Sequence, residues 1–344
     1  MSKSEYTNRY CQGADMAGLA FRGLRGEADH PLLLALTIGS FEADGVATER
    51  SLEDIAHSCA PSDRFDPSRD IVIASVAGTQ GQRSSVIGYS RVGWHTGLKD
   101  IRLYYQWSYI PQEWRGQGLW QAMVQQNERR LAEIALSHPD APQRFFQAWA
   151  TDKEAEWMSV LESEGYQAVR HFHNMVHHLD AIPERSLPVG LEVLPVQQDH
   201  LRNIWEVQKE VSRELFEVVA ENWAEETYQT WLKQPSHEPQ LWQVAWDGEL
   251  IAGMVLNRTE HSERKHGYTE HIFVRRAWRK RGLASALISR SLQVLEAHGM
   301  NEVELGVDHE NESNAFGLYE SLGYKTFSID TWFRKSMDIN AGSA

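Results

Sequence analysis

The run Arg279-Lys280-Arg281-Gly282-Leu283-Ala284 follows the strand-like segment Thr269-Glu270-His271-Ile272-Phe273-Val274 and opens an apolar stretch of helical character. A basic, small-residue turn at a helix start is suited to holding a phosphate. The first N–H groups of a helix have no intrahelical acceptor, and the macrodipole adds about half a positive charge there. Gly282 and Ala284 keep side chains away, so a pyrophosphate could rest against the backbone itself. A second copy, Arg115-Gly116-Gln117-Gly118-Leu119-Trp120, follows Tyr104-Tyr105-Gln106-Trp107-Ser108-Tyr109-Ile110. It ends in tryptophan where the other ends in alanine.

Two such turns in 344 residues need two sets of elements to position them. The segment from Asp180 to Gly190 carries Pro183, Pro188 and Gly190 and reads as a linker. The division expected is 1–182, a linker at 183–190, and 191–344. In the second part, strands are expected at Leu191–Val196, Leu241–Ala245, Leu250–Leu256 (joined across Asp247-Gly248, a hairpin signal), His266–Val274, Glu302–Val307, Tyr324–Ile329 and Trp332–Met337. Helical material is expected at Asp199–Lys233, Leu283–His298 and Ser313–Leu322, with Gly299 and Gly323 as stops. The first part repeats the order: strands at Asp70–Val76, Ser85–Val92, Ile101–Ile110, Phe145–Ala150 and Val169–His177, and helices at Leu119–Ser137 and up to Glu164. The fold class expected is α/β, as two tandem mixed domains, each a central sheet flanked by helices.

Composition narrows the partners. The formal net charge of −14 argues against nucleic acid bound by counterion release. No apolar run approaches the ~18–20 residues of a membrane helix, so no membrane partner is expected. Cys11 and Cys59 are the two cysteines and follow no metal or redox spacing; with no secretion signal at the start, a cytoplasmic location is expected.

The pattern Val274-x4-Arg279-x2-Gly282-x-Ala284 resembles the acetyl-CoA signature of the GNAT superfamily of N-acetyltransferases. The stretch Asn311-Glu312-Ser313-Asn314-Ala315-Phe316-Gly317-Leu318-Tyr319-Glu320-Ser321-Leu322-Gly323-Tyr324 resembles that family's downstream helix. The resemblance extends over the whole chain as two tandem GNAT-like domains, and it implies sheets that splay to admit a pantetheine arm. The resemblance implies acetyl-CoA as co-substrate. Ile272 and Val274 would pair with the arm, Arg279, Arg281, Gly282, Leu283, Ala284 and Ser285 would hold the pyrophosphate, and Asn311 would meet the pantetheine. It implies direct attack by a primary amine of a small molecule in a ternary complex, with Glu270 as base and Tyr319 as acid. Glu270, four residues before Val274, is expected on the same strand face as Ile272 and Val274, with His271 pointing away. No metal is expected. A non-catalytic acyl-CoA-binding or regulatory protein, and an acetyltransferase of protein N-termini or lysines, remain the alternatives. The chain is expected to be a monomer or a homodimer.

Position by position the first copy is expected to be degenerate. Glu270 aligns with Gln106, Tyr319 with Leu161, and Ala284 with Trp120. The histidines His171, His173, His177 and His178 lack a completing ligand. Glu206, Glu210, Glu214, Glu217 and Glu221 recur at helical spacing and read as a solvated face that could also hold an amine. Trp205, Trp223, Trp231 and Trp242 read mostly as core.

Overall fold

The computed structural model describes residues 16, 18–46, 48, 50–77, 84–97, 101–139, 141, 143–215, 223, 225–234, 237–259, 265–309 and 315–337, with backbone alone at 211–215 and 226. The elements run β1 (Leu19–Gly23), α1 (His30–Ala43), α2 (Leu52–Ser58), α3 (Pro67–Asp70), β2 (Ile71–Val76), β3 (Ser85–Thr96), β4 (Arg102–Tyr109), α4 (Leu119–Leu136), β5 (Arg144–Thr151), α5 (Ala155–Ser163) and β6 (Gln167–His178). They continue with β7 (Glu192–Val193), α6 (His200–Leu215), α7 (Glu225–Trp231), β8 (Gln243–Asp247), β9 (Leu250–Thr259), β10 (His266–Val274), α8 (Leu283–Ala297), β11 (Glu302–Asp308), α9 (Ala315–Ser321) and β12 (Lys325–Ser336). Most expected elements are present within a few residues. The last two expected strands are one, since nothing between Ile329 and Trp332 breaks the extended chain. Among the described residues no helix is long and apolar enough to cross a membrane.

Two compact units emerge: Met1–Val169 with Thr331–Ala344, and Arg170–Asp330. This differs from the division at 183–190. Most of β6 joins the second unit, where it pairs antiparallel with β11 from Glu302 opposite His178 to Asp308 opposite Phe172. The end of β12 joins the first unit, where the Met337 N–H donates to the Arg144 carbonyl at 2.9 Å and Arg334 Nε to Gln147 Oε1 at 3.0 Å. The first unit's sheet runs β1-β2-β3-β4-β5 and then residues 331–336; the second runs residues 325–330, then β6-β11-β10-β9-β8-β7.

Within each unit one long helix covers one sheet face. Leu119, Met123, Leu131 and Ala135 of α4, and Leu283, Leu287, Leu292 and Leu295 of α8, are nearly solvent-free, the stripe an amphipathic helix buries. Gly88 of β3 and Gly253 of β9 occupy matching places. A Cβ on Gly88 would come within 3.0 Å of the Tyr109 carbonyl oxygen, and one on Gly253 within 2.8 Å of the Phe273 carbonyl oxygen. These close approaches set the register that carries each strand into its basic turn.

Candidate active site

β10 and β11 run parallel, pairing His266 with Glu302, Gly267 with Val303 and Tyr268 with Glu304. Pairing then stops although the strands continue to Val274 and Asp308, so a wedge opens between them. On its other side β10 stays paired with β9 to the end, Val274 opposite Gly253. The Arg275 N–H donates to the Ala252 carbonyl at 3.0 Å, which makes Arg275–Ala252 a hydrogen-bonded pair. In an antiparallel ladder such pairs alternate, so Ile272 and Val274 turn their N–H and C=O groups away from β9 and into the wedge. The Val274 carbonyl is met there by Arg279 Nε at 2.8 Å.

A register shift lies between Thr269 and His271, so Glu270 is the extra residue of a β-bulge. The bulge changes which residues face α8. Before it, a Cβ on Gly267 would meet Leu295 of α8 at 3.0 Å; after it, Ile272 and Val274 pack against the α8 cluster while Phe273 packs with Leu201, Ile204 and Trp205 of α6. Glu270 forms an ion pair with Arg258 at 2.9 Å, and the Arg258 guanidinium lies 4.8 Å from the ring of Tyr268, its register neighbour. Glu270 therefore stands on the α6 face with Tyr268, His271 and Phe273, and not on the face of Ile272 and Val274. Simple alternation fails because the bulge adds a residue without a partner. His271 accordingly does not point away from Glu270. Its ring stacks on Phe273 at 5.4 Å, and burial lowers its pKa to about 4, so it is neutral near pH 7.

The turn after β10 is held by its own side chains. Arg275 pairs with Glu210 at 2.6 Å and Trp278 Nε1 donates to Asp247 at 3.0 Å, so both groups are engaged within the fold. Lys280 and Gly282 adopt the left-handed region, with φ +59° and +82°, which turns the chain sharply into α8. The first intrahelical bond runs from Ala286 N–H to Gly282 O, and Gly282 has no side chain to cap the helix. Arg281 and Gly282 are exposed, Ala284 and Ser285 half-buried, and Leu283 anchors the core. The first turn of α8 thus begins without a side-chain cap and next to the exposed Arg281 in sequence, a helix start suited to an anionic diphosphate.

Tyr319, on α9, is 7% exposed and packs in the cluster that holds Leu283 and Leu287 of α8. Burial pushes its phenol well above the usual range, so it stays protonated at any working pH. Asn311 lies outside the described residues, as do Glu217, Glu221 and the side chain of Glu214. The α6 face carries a run of rings: Trp205 stands 4.5 Å from Trp223 and 5.3 Å from Trp231, and Trp231 4.5 Å from His237. His173 stacks on His309 at 4.9 Å, but among the described residues no group of three metal-ligating side chains converges.

The first unit has the same scaffold with two of its backbone donors occupied internally. Gly118 caps α4 at φ +80°, and Arg115 Nε donates to the Ile110 carbonyl at 3.0 Å, matching Arg279 on Val274. The Ile110 N–H, counterpart of the Val274 N–H, is taken by Ser40 Oγ at 3.2 Å. The Gly116 N–H donates to the Glu156 carboxylate at 2.8 Å, so an internal anion sits on the turn. Trp120 stacks on Trp157 at 4.7 Å where the second unit has Ala284 and Ala315. Leu161, wholly buried, takes the place of Tyr319: Tyr166 N–H donates to its carbonyl as Tyr324 N–H does to that of Tyr319. One correspondence changes. β4 pairs with β3 without a bulge, Gln106 opposite Val92, so its counterpart is Thr269 and Glu270 has none. Ser40, Glu156 and the bulge carry no signal in local sequence, and Arg258, one strand over, meets Glu270 only through the register of β10 on β9.

Comparison with known proteins bears on residues 201–324, which match the model of the acetyltransferase (GNAT) family. An acetyltransferase of Pectobacterium atrosepticum is 34% identical over 97 residues, 28% of this chain and 65% of that protein. The N-alpha-acetyltransferase MAK3 of Arabidopsis thaliana is 31% identical over 87 residues, 25% of this chain and 45% of its own length. The chain thus spans about half to two thirds of these relatives. A GCN5-related N-acetyltransferase from Sphaerobacter thermophilus superposes with a TM-score of 0.71 at 25% identity, covering 92% of this chain and 95% of that one. A tandem GNAT protein from the clavulanic acid biosynthesis pathway shares the fold, with a TM-score of 0.63 at 14% identity over 92% of this chain and 98% of its own.

Proposed function

We propose, from the match of residues 201–324 to the acetyltransferase (GNAT) family, that the second unit transfers an acetyl group from acetyl-CoA to a primary amine of a small molecule, by direct attack in a ternary complex. The observation that carries this is the wedge between β10 and β11, with Ile272 and Val274 turned into it and the glycine-capped start of α8 at its mouth. Acetyl-CoA would lay its pantetheine arm along the wedge, with its pyrophosphate against the amides of residues 281–285 and the Arg281 side chain nearby. Arg279, which clasps the Val274 carbonyl, shapes the turn. Asn311 would complete the pantetheine contacts. The Val274 N–H would donate to the thioester oxygen as negative charge grows there, a contribution of a few kcal/mol to the barrier.

The two proton carriers lie on different sides of the sheet, Glu270 on the α6 face and Tyr319 in the α8 cluster. An alkylammonium entering from the α6 face would give a proton to Glu270 and attack the carbonyl as the free amine. The tetrahedral adduct would then collapse, breaking the C–S bond: Tyr319 protonates the departing CoA sulfur, and the second proton leaving the attacking nitrogen passes through water to restore the Tyr319 phenol. Arg258 positions the Glu270 carboxylate. The first unit, with two of its backbone donors occupied internally, would carry no second active site.

The test is CoA release, followed with a thiol reagent, across a panel of small amines and N-terminal peptides. Peptides as the sole acceptors would move the reading toward protein substrates, the class named for the Arabidopsis relative. Binding of acetyl-CoA without turnover of any amine would overturn it in favour of a non-catalytic acyl-CoA-binding protein. Tyr319→Phe keeps the buried ring and removes its proton, so kcat is expected to fall by about 10²-fold with the acetyl-CoA affinity unchanged. An unaltered kcat would remove Tyr319 as the acid.

A further inference from the structure

The first unit holds a cavity on the side of its sheet away from α4. Its floor is two cross-strand rows: Ile71, Arg91 and Trp107, then Tyr89 and Tyr109, drawn from β2, β3 and β4. Leu33 and Thr37 of α1 and Ile55 and Cys59 near α2 close it from above, with Arg50 also at its wall. It measures about 70 Å³, several times the roughly 10–15 Å³ that a single water needs. Leu33 and Ile71, each 1% exposed, and Ile55 and Tyr89, each 5%, give it buried apolar walls, to which Thr37, Arg50, Asp54 and Ser58 add polar ones.

Into this apolar setting the fold places a cation. The Arg91 guanidinium lies 4.6 Å from the ring of Phe65 and 5.0 Å from that of Trp107, and its Nε is buried with no hydrogen-bond partner. A buried donor left unpaired is costly, and a sheet-face arginine among aliphatic and aromatic neighbours is a poor choice for packing alone. The other polar groups do not answer it. Thr37 Oγ1 is 2.9 Å from the Leu33 carbonyl and 2.7 Å from the Tyr89 hydroxyl, so those groups satisfy each other. Asp54 is held by the Ser51 N–H and hydroxyl in a capping box, and Cys59 is kept neutral by burial. At the position matching Arg91 the second unit has Leu256, opposite His271.

We infer that the first unit binds a small carboxylate with an apolar or aromatic body in this cavity, the carboxylate accepting hydrogen bonds from the Arg91 guanidinium and the body lying against Ile55, Ile71, Tyr89 and Trp107. A planar guanidinium is the side chain best matched to a carboxylate, and the Phe65 and Trp107 rings beneath it keep it in place. The ligand is held and not acetylated, because the wedge and turn of this unit are filled by Glu156, Trp120 and Trp157. The inference stands whether or not the second unit transfers acetyl groups.

Isothermal titration of the full chain with benzoate, benzamide, inorganic phosphate and acetyl-CoA tests it. Benzoate is expected to bind at millimolar concentration or below, benzamide and phosphate at least roughly tenfold more weakly. Arg91→Met is expected to weaken benzoate by tenfold or more and leave the acetyl-CoA titration unchanged. If Arg91→Met does not fold, Ile55→Trp, which fills the cavity from its roof, decides in its place by losing benzoate. Benzamide or phosphate binding as tightly as benzoate, benzoate retained in these variants, or no benzoate heat in the parent would each overturn the inference.

Discussion

Replacing Glu270 with glutamine is expected to lower kcat/KM for acetyl transfer by about 10²- to 10⁴-fold near pH 7, the range spanned by a lost general base. The amide keeps an oxygen that can accept from Arg258, so the local ion-pair geometry is disturbed as little as a single change allows. The pH profile separates a base from a merely structural carboxylate. Without Glu270 the rate depends on amine already free in solution, which rises about tenfold per pH unit below an ammonium pKa near 10.4. The variant should therefore gain on the parent as pH rises, with its acetyl-CoA affinity unaltered. A variant whose rate and profile match the parent's would remove Glu270 from the mechanism.

Ala284→Trp is expected to abolish acetyl-CoA binding, weakening it by about 10²-fold or more, the ~3 kcal/mol that overfilling a packed site costs. The first unit is the precedent. There Trp120 occupies the matching helix position, 3% exposed and stacked on Trp157, in a unit that is otherwise built alike. The substitution should leave the thermal transition of the unliganded chain near its parent value while removing the shift that acetyl-CoA produces. Calorimetry that finds the parent affinity in Ala284→Trp would sink the steric argument, and with it the placement of the pyrophosphate at the start of α8.

Sequence and structure agree most closely where one residue type has a single physical use. Gly282 and Gly118 both fall in the left-handed region at helix starts, Gly323 and Gly165 do so after α9 and α5, and Asp247-Gly248 joins β8 to β9. These are local decisions, and local composition reveals them. The face of Glu270 is another matter. Alternation places it with Ile272 and Val274, but the bulge depends on how β10 registers against β9, and no residue within β10 announces that. The same hidden register made Gln106 look like its counterpart. Occupation of the first unit's donors by Ser40 and Glu156 is equally long-range, linking residues 70 and 40 positions apart in the chain. Tryptophan at position 120 hinted at a filled site; which groups fill the rest required the fold.

The exchange of terminal strands carries a consequence for the order in which this protein can be made. Domains generally fold as they emerge from the ribosome, the earlier one first. Here the earlier-made unit takes its last sheet strand from residues 331–336, while β6, encoded with the first half, serves the second unit. The leading half of the nascent chain must wait, with the edge of β5 open, until residues 331–336 have been translated. A premature stop codon late in the message would spare the proposed catalytic residues and injure the opposite unit. A gene cut at the linker would yield two fragments, each holding a strand that belongs to the other.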